Sequence, residues 1–136
     1  IGAGCNFANN VQISTYKVGS LRIGQRCFFG DGNIITSAEG NIVIGNDCMI
    51  AEYVSIRAAN HGIKLGSPIN VQERTIADIE IGNDVWIGRG VMICAGARVS
   101  SGCVIGANSV VTKSLVTEEN CIYAGVPAKF LKRRTL

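Results

Sequence analysis

A six-residue period over residues 81–116 restricts the fold of this chain more than any other feature. Six consecutive hexads each begin with Ile or Val, and each has a small or medium-sized, mostly apolar residue at its fifth place. Side chains return to the same face after about 3.6 residues in a helix and 2 in a strand, so neither element explains this period. A fixed longer period is typical of repeat proteins, whose units stack on one another.

The same hexads occur earlier in the chain, beginning at Ile1, Ile23 and Ile44, with slips of phase between the sets. Three restarts share one wording, an aliphatic residue two places before Ile-Gly: Leu21-Arg22-Ile23-Gly24, Ile42-Val43-Ile44-Gly45 and Ile79-Glu80-Ile81-Gly82. The shared wording predicts that each restart begins a new coil on one common face.

Each hexad is long enough for one short strand and one turn, so three hexads can form a triangular coil. The first and fifth residues then point inward, and about six coils at ~4.8 Å spacing give a prism roughly 30 Å long. Glycines are expected to take left-handed turn positions, namely Gly32, Gly90, Gly96 and Gly102. A sandwich of short strands is the alternative, but it does not need a fixed period.

Two segments depart from the repeat within what we expect to be a single domain, residues 1–136. Residues 62–78 have no hexad phase, and a loop this long in a compact protein is functional or disordered. Residues 117–136 are expected to cap the stack, with Pro127 opening a short helix over residues 128–134. The chain begins in repeat phase at Ile1 without Met, which leaves room for residues upstream.

Composition narrows the classes of function. The formal charge of +3 is mild and dispersed, which argues against a nucleic-acid partner. No apolar run is long enough for a membrane span, and no signal peptide is visible. The six cysteines include no CxxC pair, and four of them, Cys5, Cys27, Cys48 and Cys103, stand at fifth places. We therefore expect reduced, buried thiols in a cytoplasmic protein without structural zinc.

Several stretches are similar to hexapeptide-repeat acyltransferases, and most closely to sugar and polysaccharide O-acetyltransferases: residues 60–61, 68–72, 81–88, 105–113 and 124–129. The resemblance implies an all-β fold, a left-handed parallel β-helix. It also implies acetyl-CoA-dependent O-acetylation of a sugar or polysaccharide hydroxyl without a metal. Finally, it implies a homotrimer with each active site between neighbouring prisms. A flat apolar face expected to carry Met49, Trp86 and Met92 is compatible with that packing.

His61 is the only histidine, and it stands where the coil gives way to the long loop. A lone histidine is more often structural, but the resemblance implies that this one is the general base. Its orienting group stays open between a carboxylate, for which Glu52 and Glu73 are candidates, and a backbone carbonyl. Asn60, Glu52 and Gln72 are the candidate substrate-binding residues.

The resemblance also implies where coenzyme A binds. Trp86, at an outward sixth place, is expected beside the pantetheine arm, and a backbone amide near Arg89 is expected to face the thioester. Thr112, Lys113 and Lys129 match positions that family members use for the phosphates. The basic residues near the end of the chain could also be a solvated tail.

Three alternative functions differ in what they require of the sequence. N-acetylation of an amino sugar or amino acid needs the same base. A carbonic-anhydrase-like zinc site needs three histidine ligands, and this chain has one histidine. A non-catalytic scaffold or binding module is the third, because a fold does not imply a function. The identity of the acceptor depends on residues 62–78 and on Arg57 and Glu52 near the mouth of the loop.

Overall fold

A computed structural model describes all 136 residues, from Ile1 to Leu136. It contains one short 3-10 helix, Ile69–Val71, and strands of two to six residues. The strands are β1 (Asn6–Phe7), β2 (Gln12–Thr15), β3 (Ser20–Ile23), β4 (Phe28–Phe29), β5 (Ile34–Ala38), β6 (Asn41–Ile44), β7 (Met49–Ile50), β8 (Ser55–Arg57), β9 (Ala59–Asn60), β10 (Thr75–Ile76), β11 (Ile79–Ile81), β12 (Trp86–Ile87), β13 (Met92–Ile93), β14 (Arg98–Val99), β15 (Val104–Ile105), β16 (Val110–Val111), β17 (Cys121–Gly125) and β18 (Ala128–Arg133).

Three sheets form the walls of a triangular prism. Sheet A has the order β1-β4-β7-β12-β15-β17-β18, sheet B the order β2-β5-β8-β13-β16, and sheet C the order β3-β6-β11-β14. All pairs within these sheets are parallel except β17 with β18. Successive strands of a coil enter successive walls, so the chain winds through about six turns. The predicted parallel β-helix is confirmed.

The core is built from the first and fifth residues of the hexads, as the sequence predicts. First-place residues from Ile81 to Val111 are at most 3% exposed, and fifth-place residues from Val85 to Ser109 at most 1%. Each fully buried aliphatic side chain contributes roughly 1.5–3 kcal/mol. Exposure rises in the first coil, where Ile13 is 39% exposed, because that coil has a neighbour on one side alone.

The three restarts lie side by side in sheet C, which confirms that they begin coils on one face. Leu21 pairs in register with Ile42, and Ile79 pairs with Ile42 from the other side. The phase slips therefore bring the chain back to the same wall.

Glycine is required at the corners for two different reasons. Gly90 has a φ of +70°, and the predicted left-handed conformation is confirmed at all four glycines named above. Gly82 has an ordinary φ, but a Cβ there would lie 2.6 Å from the backbone nitrogen of Ser101 in the next coil. The first reason concerns backbone conformation and the second concerns the spacing of the coils.

All six cysteines are free thiols, and the four at fifth places pack as small interior groups. The thiol of Cys27 donates to the carbonyl of Gly45 at 3.1 Å, and that of Cys48 donates to the carbonyl of Gly82 at 3.1 Å. Burial raises the pKa of the Cys48 thiol to about 12. These thiols are therefore neutral packing groups rather than nucleophiles.

The expected C-terminal helix is wrong. Residues 121–133 instead form an antiparallel hairpin, β17 and β18, whose turn contains a cis bond between Val126 and Pro127. Tyr123 is 2% exposed and meets the ring of Phe130 edge-on, with centroids 5.9 Å apart. Because β17 pairs with β15, it continues sheet A by one coil, and this pairing outweighs the helix signal from Pro127.

The expected flat apolar face is also wrong. Met49 and Trp86 are neighbours on the outer side of sheet A, but Met92 lies on sheet B. Trp86 and Met92 are one hexad apart, and one hexad carries the chain to the next wall. No helix in the structure has the length and apolar character needed to cross a membrane.

Candidate active site

The corners of the prism determine where the candidate residues lie. We call them the AB, BC and CA corners, after the sheets that each joins in chain order. In every coil from the second to the fifth, the AB corner follows the strand of sheet A, and the BC corner follows the strand of sheet B. The candidate residues divide mainly between the AB and BC corners.

His61 lies at the BC corner of the third coil, at the base of the long loop. The loop emerges from the antiparallel pair β9 and β10, in which Asn60 faces Thr75. The amide of Gly62 donates to the carbonyl of Glu73 at 3.0 Å, so the pairing continues into the loop. One further step of this register sets His61 opposite Arg74.

Two open hollows meet at His61. One, of about 1090 Å³, lies within the loop and is lined by residues 60–67 and 72–75. The other, of about 1080 Å³, lies on the sheet B side and includes Arg57, Asn60, His61 and Arg74. The imidazole is exposed and makes no hydrogen bond within the chain. Neither ring nitrogen is therefore engaged by another group of the chain.

Neither predicted carboxylate holds His61. Glu73 lines the loop hollow, but its contact with this region is through its carbonyl, which accepts from Gly62. Glu52 lies at the AB corner and shares a small hollow of about 260 Å³ with Asp31 and Trp86. The structure therefore separates Glu52 from His61 within one chain.

Gln72 is occupied by the loop itself. Its side-chain oxygen accepts from the amide of Lys64 at 2.8 Å, and its nitrogen donates to the carbonyls of Lys64 at 2.8 Å and Ser67 at 2.9 Å. Both amide protons are used, which leaves Gln72 little capacity to bind a substrate. The structure gives it the role of shaping the hollow beside His61.

Thr112 and Lys113 lie at the BC corner of the fifth coil, two coils beyond His61. At ~4.8 Å per coil, that separation is about 10 Å along the prism. Lys113 is exposed, and its Cβ lies 3.1 Å from where a side chain on Gly96 would begin. Its ammonium makes no ion pair, so it is available to an anion along the same corner as His61.

Trp86 and Arg89 lie on sheet A and at the AB corner. The indole of Trp86 is 52% exposed, as its sixth place predicts. The guanidinium of Arg89 lies 5.1 Å from the centroid of the Tyr53 ring, a cation–π contact that directs the side chain along the corner. The amide N–H of Arg89 makes no hydrogen bond within the chain.

The basic C-terminal residues are not one solvated tail. Lys129 is exposed on β18, at the edge of sheet A, and makes no ion pair. Arg133 instead pairs with Glu118, and Arg134 pairs with Asp84 at 2.9 Å and donates to the carbonyl of Gly102 at 2.8 Å. These two arginines fasten the hairpin to the prism.

Arg74 is a residue beside His61 that could not be identified from the sequence. The signal was present but weak, since an antiparallel stem across the loop is needed to bring residue 74 back to His61. Residues 74–76 read Arg-Thr-Ile, which is too short to distinguish a returning strand from irregular loop.

Comparison with known proteins identifies the family. The bacterial transferase hexapeptide family (six repeats) matches residues 78–113. The chain is 34% identical over 143 residues to the putative lipopolysaccharide biosynthesis O-acetyl transferase WbbJ of Escherichia coli (strain K12), covering 98% of this chain and 71% of that protein. This chain belongs to the hexapeptide-repeat transferases. The resemblance drawn from the sequence is thereby confirmed.

Two further similarities extend this result. This hexapeptide-repeat transferase is 40% identical over 125 residues to the polysialic acid O-acetyltransferase of Escherichia coli O1:K1 / APEC. The aligned region covers 88% of this chain and 38% of that protein. Its fold matches AntD, an N-acyltransferase from Bacillus cereus, in complex with dTDP and 3-hydroxybutyryl-CoA. The TM-score is 0.75 at 21% identity, covering 99% of this chain and 82% of that one.

Proposed function

We propose that this chain transfers an acetyl group from acetyl-CoA to a hydroxyl of a sugar or polysaccharide, with His61 as the general base. The main support is the position of His61, the single histidine of the chain, whose imidazole is exposed and unpartnered where two hollows meet. The similarity to O-acetyltransferases of lipopolysaccharide biosynthesis and of polysialic acid supports the reaction and the class of acceptor.

The chemistry requires a base that is neutral near pH 7. His61 takes the proton of the acceptor hydroxyl as that oxygen attacks the thioester carbonyl. When the carbon–sulfur bond of the tetrahedral intermediate breaks, the same proton passes to the departing thiolate. An imidazole suits both steps because its ordinary pKa lies close to the working pH.

The cofactor-binding residues fit a long anionic molecule with an acyl thioester at one end. The free amide N–H of Arg89 is a donor for the developing oxyanion, and the exposed face of Trp86 can cover the pantetheine arm. Lys113 and Lys129 are unpaired cations for the phosphates, with Thr112 adjacent to Lys113. The 3-hydroxybutyryl-CoA bound to the Bacillus cereus relative supports an acyl-CoA substrate.

The active site is proposed to lie between two copies of the chain within a homotrimer. Within one prism, His61 is at the BC corner while Arg89 is at the AB corner, and this separation supports a site shared between two chains. The outer sides of sheets A and B carry exposed Met49, Trp86 and Met92, which packing between copies would cover.

An assay of acetyl transfer tests the proposal. Paired sugars that differ in one group, a hydroxyl or an amine at the same carbon, are incubated with acetyl-CoA, and release of the coenzyme A thiol is followed. We expect transfer to the hydroxyl. Transfer to the amine alone would instead establish N-acetylation. The structurally similar Bacillus cereus protein is named as an N-acyltransferase. Failure to bind acetyl-CoA by calorimetry would favour a non-catalytic scaffold.

A further inference from the structure

Two arginines flank His61, and neither has a partner. Arg57 ends β8 and is exposed on sheet B, and Arg74 lies opposite His61 in the register of the loop stem. Neither guanidinium forms a salt bridge, whereas Arg26, Arg98 and the two C-terminal arginines each pair with a carboxylate. Two free guanidinium groups therefore border the candidate base.

The hollow that contains both arginines has no acidic residue in its lining. Its other polar groups are hydroxyls and amides, from Gln12, Ser14, Thr15, Tyr16, Thr36 and Asn60. Side chains of this kind suit a carbohydrate, because they donate to and accept from sugar hydroxyls without adding charge. The arginines therefore give this hollow a net positive charge.

Glu39 is a carboxylate that could pair with Arg74 in place of a bound anion. Its carboxylate already accepts from Lys17, whose Nζ lies 2.8 Å away. The hydrogen bond from Lys17 lowers the pKa of Glu39, and the more distant charge of Arg74 adds a smaller effect in the same direction. Because Lys17 neutralises Glu39, the charge of Arg74 stays uncompensated. Glu73 lines the loop hollow, which Arg74 also borders, but it forms no ion pair with Arg74.

We infer that the acceptor is a negatively charged sugar, whose carboxylate or phosphate group binds between Arg57 and Arg74 while a neighbouring hydroxyl reaches His61. The inference rests on the proposed function and specifies its substrate class. Guanidinium groups bind carboxylates and phosphates through paired hydrogen bonds, which fix orientation as well as affinity.

The anion proposed to bind between Arg57 and Arg74 belongs to the acceptor, and the phosphates of coenzyme A are expected to bind elsewhere. When the thioester is at His61, the pyrophosphate is at the other end of the pantetheine arm. Lys113 lies two coils from His61 toward the C-terminus, about 10 Å away along the prism. The sheet B hollow extends the opposite way, over β2 and β5 of the first two coils. Donor and acceptor would therefore approach His61 from opposite ends of the corner.

Kinetics with matched acceptors tests the inference. A neutral oligosaccharide, its uronic-acid counterpart and its phosphorylated counterpart are compared at saturating acetyl-CoA. We expect KM to be about tenfold lower for a charged acceptor, and the difference to shrink at high salt. The charged acceptor with the lower KM identifies whether carboxylate or phosphate is recognised.

Variants assign the effect to the two arginines. Arg57→Gln and Arg74→Gln are each expected to remove most of the KM advantage of the charged acceptor, and Arg57→Lys to retain part of it. Arg22→Gln is the matched control, because Arg22 is also exposed and unpaired but lies on sheet C. We expect this control to leave the KM ratio unchanged.

Equal KM values for charged and neutral acceptors in the native protein would overturn the inference, as would a KM ratio that Arg57→Gln and Arg74→Gln leave intact. If no acceptor is acetylated, the proposed function fails, and calorimetry with the uronic-acid oligosaccharide tests the inference separately. Binding that both glutamine variants weaken about tenfold supports it, and absence of binding contradicts it.

Discussion

The side-chain amide of Gln72 bonds both backbone groups of Lys64, accepting from its N–H and donating to its carbonyl at 2.8 Å each. A third bond reaches the carbonyl of Ser67 at 2.9 Å. One side chain thus holds the segment that encloses the hollow beside His61. The loop is therefore held in place beside His61, although it lies outside the core of the prism.

Gln72→Ala removes these three hydrogen bonds, each worth about 0.5–1.5 kcal/mol. We expect hydrogen-exchange protection of residues 62–73 to fall and kcat/KM to decrease by roughly an order of magnitude. The melting temperature should change little, because the loop adds nothing to the buried core. Gln25→Ala is the control, since Gln25 is exposed at the far CA corner. Unchanged exchange in the loop would contradict this role for Gln72.

Gly82→Ala separates coil spacing from backbone conformation. A Cβ at this position would meet the backbone of Ser101 at 2.6 Å, so the two coils must move apart, and we expect a loss of about 2–4 kcal/mol in the free energy of unfolding. Gly4→Ala isolates the other cost, because Gly4 lies in the first coil with a φ of +73°, and the nearest group to an added Cβ is the flexible side chain of Arg26 at 3.3 Å. We expect about 1–2 kcal/mol there, and denaturant unfolding measures both. A smaller loss at Gly82 than at Gly4 would show that the coils can separate easily.

The raised pKa of the buried Cys48 thiol predicts that the folded protein loses stability at alkaline pH. Its pKa is raised to about 12 in the folded state from an ordinary value of 9.0, so the folded protein keeps the thiol neutral while the unfolded chain loses the proton. The stabilisation is complete below pH 9 and declines as pH rises toward 12. Between about pH 8 and 10.5, native protein should lose on the order of 2 kcal/mol more than Cys48→Ala. Identical pH dependence for both proteins would argue against a buried neutral thiol.

Activity of mixed oligomers tests whether the site is shared. His61→Ala and a variant with a charged substitution at the other half, Trp86→Glu, should each be inactive alone. If His61 of one copy works with Trp86 of another, refolding the two variants together should restore up to about one third of native activity in a trimer, since mixed assemblies contain some intact sites. No recovery in verified mixed oligomers would mean that each chain holds a complete site.

The regular part of the fold could be predicted from the sequence because a six-residue period leaves few other structures. Ile87 and Val85 occupy the interior, and Trp86 points outward, as their places in the hexad require. The hexad period also places Met92 and Trp86 on different walls, because residues at the same place in successive hexads lie on successive walls. The prediction of one flat apolar face was wrong because it assigned both residues to a single wall.

The structure of the irregular segments could not be predicted from the sequence, because pairing with residues distant in the chain determines it. Pro127 is compatible with a helix start, but Tyr123 buries its ring in the last coil and places residues 121–125 in sheet A. Likewise, the proximity of Arg74 to His61 depends on the stem of a loop whose returning strand is two residues long. Periodicity carries no information about such segments.

Single-turnover acetyl transfer by His61→Asn tests whether His61 is the general base. Asparagine keeps the size and a hydrogen-bonding group but cannot accept the proton. We predict a rate reduced by at least ~10²-fold, with acetyl-CoA affinity within a few-fold of native and the same melting temperature. A native transfer rate in His61→Asn would contradict it.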